Sequence, residues 1–334
     1  MRLLSFLLLT LTFSAHAQWK TQTIESKASF RAIDRLNKDT VWLSGSKGSI
    51  MKSNDGGETW KNVCPEAYKN FDFRGIAVLN SKEAIAMSAG DGSEGKAFCI
   101  KTTDGGQTWK VILEKKEKGV FFDTIKFQNS KIGFILGDAI DSKPYLLQTL
   151  NGGQTWERVQ NLPDILVGEA SFAASNSCIS ILRNEVWFNT QNRIFHSKNS
   201  GKTWEVLETP FETAQSRGIF GTFFFNKNLG LIVGGDYTDD KNPTLQYAYS
   251  HDKGKLWKTN QEFYRNGLTE CISTISTNRF ISVGTIGTAI SLDNGQNWRA
   301  TDKDSFHVVS CKDKKCIAAG GNGKIGIWHF GSSQ

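Results

Sequence analysis

The chain has 334 residues, 39% of them apolar and 22% charged, with a formal net charge of +7. It is too apolar for a disordered chain, and its lysines are spread along the sequence rather than gathered into the stripe a nucleic-acid binder needs. Length alone would allow two domains.

The first elements are not part of the fold. Met1-Arg2 precedes an apolar run from Leu3 to Phe13 and then Ala15-His16-Ala17. A positive start, a short apolar stretch and an A-x-A site read as a secretory signal peptide over residues 1–17. The run is too short to cross a bilayer, no later stretch is long and apolar enough, and no cysteine follows to carry a lipid. The mature chain is expected to begin at Gln18, to be exported, and to work in the periplasm or outside the cell. Its charge falls by one when Arg2 is removed.

Short strand-like runs follow, broken by Gly, Asn and Ser, with almost no helical periodicity. In the first unit they are Ser29–Leu36, Thr40–Gly45, Ser49–Ser53 and Thr59–Cys64. Between the third and fourth runs lies the phrase Ser53-Asn-Asp55-Gly-Gly57-Glu-Thr59-Trp60, and [S/T]-x-[D/N]-x-G-x-x-W then returns five times. Its acidic or amide residues are Asp55, Asp104, Asn151, Asn199, Asp252 and Asp293; its tryptophans are Trp60, Trp109, Trp156, Trp204, Trp257 and Trp298. Spacings of 41 to 53 residues match four short strands per repeat, the period of a propeller blade. The Asp or Asn is expected to close a turn by accepting backbone N–H groups two residues on, the Gly to take a left-handed conformation, and the Trp to bury its ring. One carboxylate or amide per phrase is too few oxygens for calcium, so the phrase is structural and no metal is expected.

Six phrases end six blades. The tail supplies three more strands, Phe306–Cys311, Cys316–Gly320 and Lys324–Phe330, without a fourth. Gln18-Trp-Lys-Thr-Gln-Thr-Ile24 resembles the piece after each phrase, as in Thr59-Trp-Lys-Asn-Val63. The expectation is an all-β, seven-bladed β-propeller of four-stranded antiparallel blades over residues 18–334, closed by the N-terminal strand joining the last blade. An open ring would leave a bare sheet edge.

The phrase is identified as the Asp-box, or BNR repeat, and the mature chain resembles that propeller superfamily along its whole length. Within it the passages Ser29-Phe-Arg-Ala-Ile33, Asp72-Phe-Arg-Gly-Ile76, Gly168-Glu-Ala-Ser-Phe-Ala-Ala174 and Gly234-Gly-Asp-Tyr237 are most similar to exported propellers related to the photosystem II stability and assembly factor. Nothing else in the sequence suggests photosynthesis, so that role is not carried over.

Two features point to a binding face. The segments Gly90–Lys96, Gly137–Pro144 and Gly235–Pro243 are long loops rich in Asp and Gly, with Asp91, Asp138, Asp236 and Tyr237 as candidates. Aligning the first strands of the seven blades gives one ionisable column: Arg31, Arg74, Asp123, Glu169, Arg217, Glu270 and His307. An apolar residue lies two places on in six of them. Such a column fits a polar channel mouth above packed blades, either a structural ion-pair network or a site for an anionic group or an extended peptide, since arginine forks suit carboxylates.

A distant similarity to sialidases implies a second reading. There three arginines clamp a carboxylate beside a Tyr–Glu pair; here Arg31, Arg74 and Arg217 would be the clamp, and Tyr237 or Tyr264 with Glu169 the chemistry. Phe30-Arg31-Ala32-Ile33 lacks the proline of the sialidase motif. Asp123 with Glu169 would serve a glycosidase only at a separation of about 5–10 Å. No nucleotide-binding glycine loop, nucleophile elbow or His/Cys cluster is present, so no cofactor is expected. Cys311 and Cys316, flanking a four-residue turn, could pair across a hairpin; Cys64, Cys99, Cys178 and Cys271 show no metal spacing. The sequence thus predicts a non-catalytic binding or assembly scaffold. Its partner would be an envelope or extracellular protein, peptide or glycan, not nucleic acid. A sialidase-like glycoside hydrolase is the alternative.

Overall fold

A computed structural model describes residues 19–212, 214–241, 246–259 and 267–330. The leader reading lies outside them. The described residues form seven antiparallel sheets, each following chain order outward from its first strand except the seventh, whose outermost strand comes from the start of the chain. The first strands are Phe30–Arg35, Phe73–Val78, Phe122–Phe127, Ile179–Leu182, Arg217–Phe224, Thr269–Ser276 and Val308–Lys312. Each touches the next, and the seventh touches the first, so they line the axis of a closed ring. Strands a, b, c and d of each blade run from the axis outward. Blade one has Phe30–Arg35, Val41–Gly45, Ser49–Ser53 and Lys61–Asn62. Blade five is the lean one: its outer strand is reduced to a bridge between Tyr249 and Lys258.

The ring closes as the sequence suggests. Lys20–Thr23 pairs antiparallel with the last strand, from Lys20 opposite Ile327 to Thr23 opposite Lys324. The joint is apolar as well as hydrogen-bonded. Trp19 is buried against Phe306 and Trp328, and its indole N–H donates to Thr288 Oγ1 at 2.9 Å. Ile33 and Leu43 of blade one pack with Val308 and Ile317 of blade seven. Each such buried side chain contributes roughly 1.5–3 kcal/mol.

The repeated phrase is a turn with two successive left-handed residues. They are Gly56 (φ 73°) and Gly57 (φ 94°) in blade one, and Lys253 (φ 71°) and Gly254 (φ 85°) in blade five. The second is glycine in all six. At Gly57 a Cβ would also press on Ile317 of the preceding blade at 3.0 Å. The hydroxyl that opens the phrase accepts this glycine's N–H, as Ser53 does from Gly57 at 2.7 Å. The Asp or Asn reaches four residues on rather than two: Asp55 accepts from the Thr59 N–H at 2.9 Å, and Asp293 from Asn297 likewise. The N–H two residues on is already taken by the hydroxyl that opens the phrase, as Gly57 is by Ser53.

Each phrase also binds its own blade's a–b turn. Gly56 donates to Asp39 O, Gly105 to Lys82 O and Gly152 to Lys131 O; Phe330 does the same to Lys314 O in blade seven, which has no phrase. Those two kinds of turn therefore share one face of the ring, the box face. The b–c loops and d–a links share the other. Neighbouring blades are tied across the box face too, where Lys52 Nζ donates to Gly105 O and Lys101 Nζ to Gly152 O, both at 3.1 Å.

Candidate binding site at the channel mouth

The first strands start on the face opposite the boxes, and there their register slips. In blades one, two, three and six one residue of strand a is left without a partner on strand b: Arg31, Arg74, Asp123 and Glu270. A bulge of this kind re-aims a side chain. In blade seven His307 holds the equivalent place, its N–H donating to Ala319 O at 2.9 Å. Five of the seven expected column residues are thus brought to one level.

Two are not. In blade five the unpartnered residue is Phe220, between Ile219 and Gly221, and Arg217 lies three residues earlier, opposite Asp236. In blade four, strand a begins at Ile179, which pairs with Phe188, and the register puts Ser177 in the column. Glu169 belongs to the link before it. It is 4% exposed, forms an ion pair with Arg193, and also bonds the Thr190 hydroxyl and the Leu166 N–H. It holds the link in place rather than serving the mouth.

One buried carboxylate joins three blades. Glu270, 2% exposed, accepts from Arg31 Nη1 at 3.3 Å through one oxygen and contacts His307 Nδ1 at 2.6 Å through the other. Arg74 is paired with Asp72, outside the expected column, at 2.8 Å. Asp72 stands two residues before Arg74, where extended chain puts both side chains on one face. Both guanidiniums stay partly exposed, Arg31 to 24% and Arg74 to 33%.

The channel beneath them is filled by the blade-four link. Arg31 Nη1 donates to Ala174 O at 3.0 Å and Arg74 Nη1 to Ala173 O at 3.3 Å. Asn176 then bonds three other blades: its N–H donates to Arg31 O, its Oδ1 accepts from the Ile125 N–H at 2.9 Å, and its Nδ2 donates to Ile76 O at 3.2 Å. Ser175 and Ser177 hydroxyls reach Glu270 O on blade six at 2.8 and 3.0 Å. The passage Gly168–Ala174, expected as an inner strand, leads into this plug. Buried backbone groups need partners, and Asn176 and the two serines supply them where no ladder can.

An aromatic cluster joins the blade-four link to blade five. Phe172 stacks on Phe220 at 4.2 Å and meets Tyr237 edge-on at 5.7 Å, and Tyr237 is 52% exposed. Arg217 is held by Asp236 at 3.0 Å, so the three arginines do not form one clamp. With Glu169 tied to Arg193, the sialidase-like arrangement loses its carboxylate partner too; Tyr264 lies outside the described residues. Asp123 and Asp138 face each other on the mouth's blade-three side. Burial, with Asp138 alongside and Arg74 opposing, pushes the Asp123 carboxyl well above its ordinary range, and burial lifts Asp138 to about 6. Asp123 Oδ2 has no hydrogen-bond partner among the described residues.

The other sequence candidates are structural. Asp91 caps a turn at Gly92–Glu94, accepting from the Ser93 N–H at 2.7 Å and the Gly119 N–H at 3.2 Å. Asp236 accepts from the Thr238 N–H at 2.9 Å as well as from Arg217. Cys311 and Cys316 sit opposite each other on the blade-seven hairpin and form the disulfide. Cys64, Cys99, Cys178 and Cys271 are free, and burial pushes the Cys64 and Cys178 thiols up to about 12, which keeps them unreactive. Among the described residues no group of three metal-ligating side chains gathers, and no helix is long and apolar enough to cross a membrane.

A ring of seven such blades, its mouth lined by bulged ionisable residues over a plugged channel, defines a β-propeller of the Asp-box class. The family model for the photosynthesis system II assembly factor YCF48 matches residues 11–120 and 117–212, and the chain belongs to that family. It is 36% identical over 69 residues to the photosystem II assembly lipoprotein Ycf48 of Prochlorococcus marinus, a stretch covering 19% of this chain and 20% of that protein. The chain spans only 7% and 20% of the length of two curated relatives it matches. Among solved structures, YCF48 bound to D1 peptide superposes with a TM-score of 0.68 at 15% identity, covering 96% of this chain and all of that one. Virginiamycin B lyase from Staphylococcus aureus gives 0.69 at 14% identity, over 94% and 100%. At such identities the likeness is one of fold.

Proposed function

We propose that this chain is a non-catalytic scaffold that holds an extended peptide at the channel mouth, with a carboxylate of that peptide on Arg31 and Arg74. The observation that carries the reading is the pair of partly exposed guanidiniums fixed side by side over a closed floor, each anchored by its own acid and by a plug carbonyl. Anchored forks keep their remaining N–H donors pre-oriented, which lowers the ordering cost of binding. Phe172 and Tyr237 offer an apolar wall for the neighbouring side chain. The family relative solved with a D1 peptide supports a peptide ligand. The partner belongs to the envelope or the extracellular space, and the chain reaches it by export. Catalysis forms no part of the proposal, because the arginines are tied separately and Glu169 is committed to Arg193.

The test is peptide capture from an envelope fraction, and fluorescence titration with the captured peptides. Arg31→Ala/Arg74→Ala should keep the propeller fold at a lower melting temperature, since Glu270 loses Arg31, and at a temperature where both proteins are folded it should bind at least tenfold more weakly. Equal recovery by both proteins would remove the mouth as the site.

A further inference from the structure

The face opposite the mouth carries a second pattern. Three of its box residues are exposed leucines: Leu150 at 66%, Leu256 at 72% and Leu292 at 64%. The repeat does not ask for them. Where Leu150 and Leu292 stand, the other boxes have Asn54, Thr103, Lys198 and His251; where Leu256 stands, they have threonine or asparagine. At that place Thr59 and Thr108 bond their box aspartates, and Leu256 gives that bond up.

Leu150 and Leu256 stand in a basic sector, and Leu292 lies on blade six beside it. On the a–b and box turns of blades three, four and five, Lys131, Arg183, Lys202, Lys227 and Lys255 are exposed, and none is in an ion pair among the described residues. The acids there are fewer: Glu185 contacts His196 and Lys253, Glu205 contacts His196 and Lys198, and Asp252 accepts the Leu256 N–H inside its box, while Glu157 is exposed. A groove of about 300 Å³ opens between the boxes of blades three and four, with Leu150, Thr155 and Lys202 among its lining and Glu157 beside Arg158 on its wall.

We propose that this sector of the box face docks on an anionic lipid bilayer, cations on the headgroups and leucines among the first acyl carbons. The turns end level on one face of the ring, so many cations can meet a plane together, each adding to the attraction. Three leucines on separate turns, parted by polar residues, make no continuous apolar core of the kind a protein interface has. Each can enter a bilayer alone, as interfacial apolar residues do. A polyanion in solution would use the cations and leave the leucines idle. With the mouth on the opposite face, a docked ring would present its peptide site away from the lipid.

The experiment is co-sedimentation of the whole folded chain with vesicles of phosphatidylglycerol mixed with phosphatidylcholine, and of phosphatidylcholine alone, at low and high salt. Binding is expected to the mixed vesicles only and to weaken with salt. Lys202→Glu/Lys227→Glu should lower the partition by about thirtyfold or more, from the loss of two cations. Leu150→Ser/Leu256→Ser/Leu292→Ser, which keeps every charge, should lower it by at least tenfold. Arg31→Ala/Arg74→Ala should bind vesicles as the parent does, which separates this surface from the mouth. No binding to mixed vesicles would overturn the proposal. So would a leucine variant that binds unchanged while the charge variant fails equally on vesicles and on heparin; that outcome would mark a polyanion site.

Discussion

Arg31 and Glu270 meet at 3.3 Å although 239 residues separate them in the chain. They meet because the ring closes and brings blades six, seven and one round to the same sector of the mouth. Glu270 is 2% exposed and holds both Arg31 and His307, so it is the residue on which this side of the mouth depends. Removing one partner of a buried ion pair costs about 3–5 kcal/mol. Glu270→Ala should therefore lower the unfolding free energy, measured by urea titration, by an amount in that range. A loss below about 1 kcal/mol, the worth of an exposed pair, would show that Glu270 is not the organising group.

Closure can be tested directly. Deleting residues 18–24 removes the strand Lys20–Thr23 and the buried Trp19. It also bares the edge of Lys324–His329. The truncated chain should melt lower than the one that keeps them, and should aggregate on heating. Coincident melting curves would contradict the pairing.

Asn176 gives the plug its hold on three blades. Asn176→Ala strands the Ile125 N–H and the Ile76 carbonyl in a buried place. Each unsatisfied group costs about 1–3 kcal/mol. The variant should lose about 2 kcal/mol or more, and its amide of Ile125 should exchange faster in hydrogen-exchange measurements. Unchanged protection at Ile125 would mean the plug is dispensable.

The carboxyl pair sets a pH dependence. A carboxyl whose pKa is raised on folding binds its proton more tightly in the native state, so its contribution to stability is present at low pH and lost as pH rises. For Asp138 the loss runs from an ordinary value near 3.8 up through about 6, and for Asp123 it extends higher. The box carboxylates act in the opposite sense and lower down. Burial opposes it, but bonds from Thr59 and Ser53 hold Asp55 at about 2, so its contribution is present above pH 4 and fades only in acid. Asp123→Asn should match the parent near pH 4 and melt above it at pH 8. A difference that does not change with pH would exclude the titration.

Much of this fold could be read from the sequence because the box is local chemistry. Ser53, Asp55, Gly57 and Trp60 find their partners within one turn or on the adjoining blade, so spacing alone reveals the blade. The closing strand was legible for the same reason: Trp19 and Trp60 begin the same outward run. The mouth was harder. Arg31, Arg74, Asp123, Glu270 and His307 were found because strand a starts with a repeated pattern. Arg217 and Glu169 were not column members, because register is a tertiary property. Blade five slips at Phe220, three residues after the pattern suggests, and Gly168–Ala174 alternates like a strand while serving as the approach to a plug. Asp72 lies two residues before Arg74, ahead of the repeated pattern, so the column of first-strand residues does not include it.

The head strand runs antiparallel to the tail strand, with Lys20 beside Ile327, so residues 19 and 330 leave the ladder from the same end. Tension applied between those two points would not slide the strands past each other. It would peel their hydrogen bonds apart one after another, starting at Lys20, and the torus would spring open at modest force while the other six sectors stayed folded.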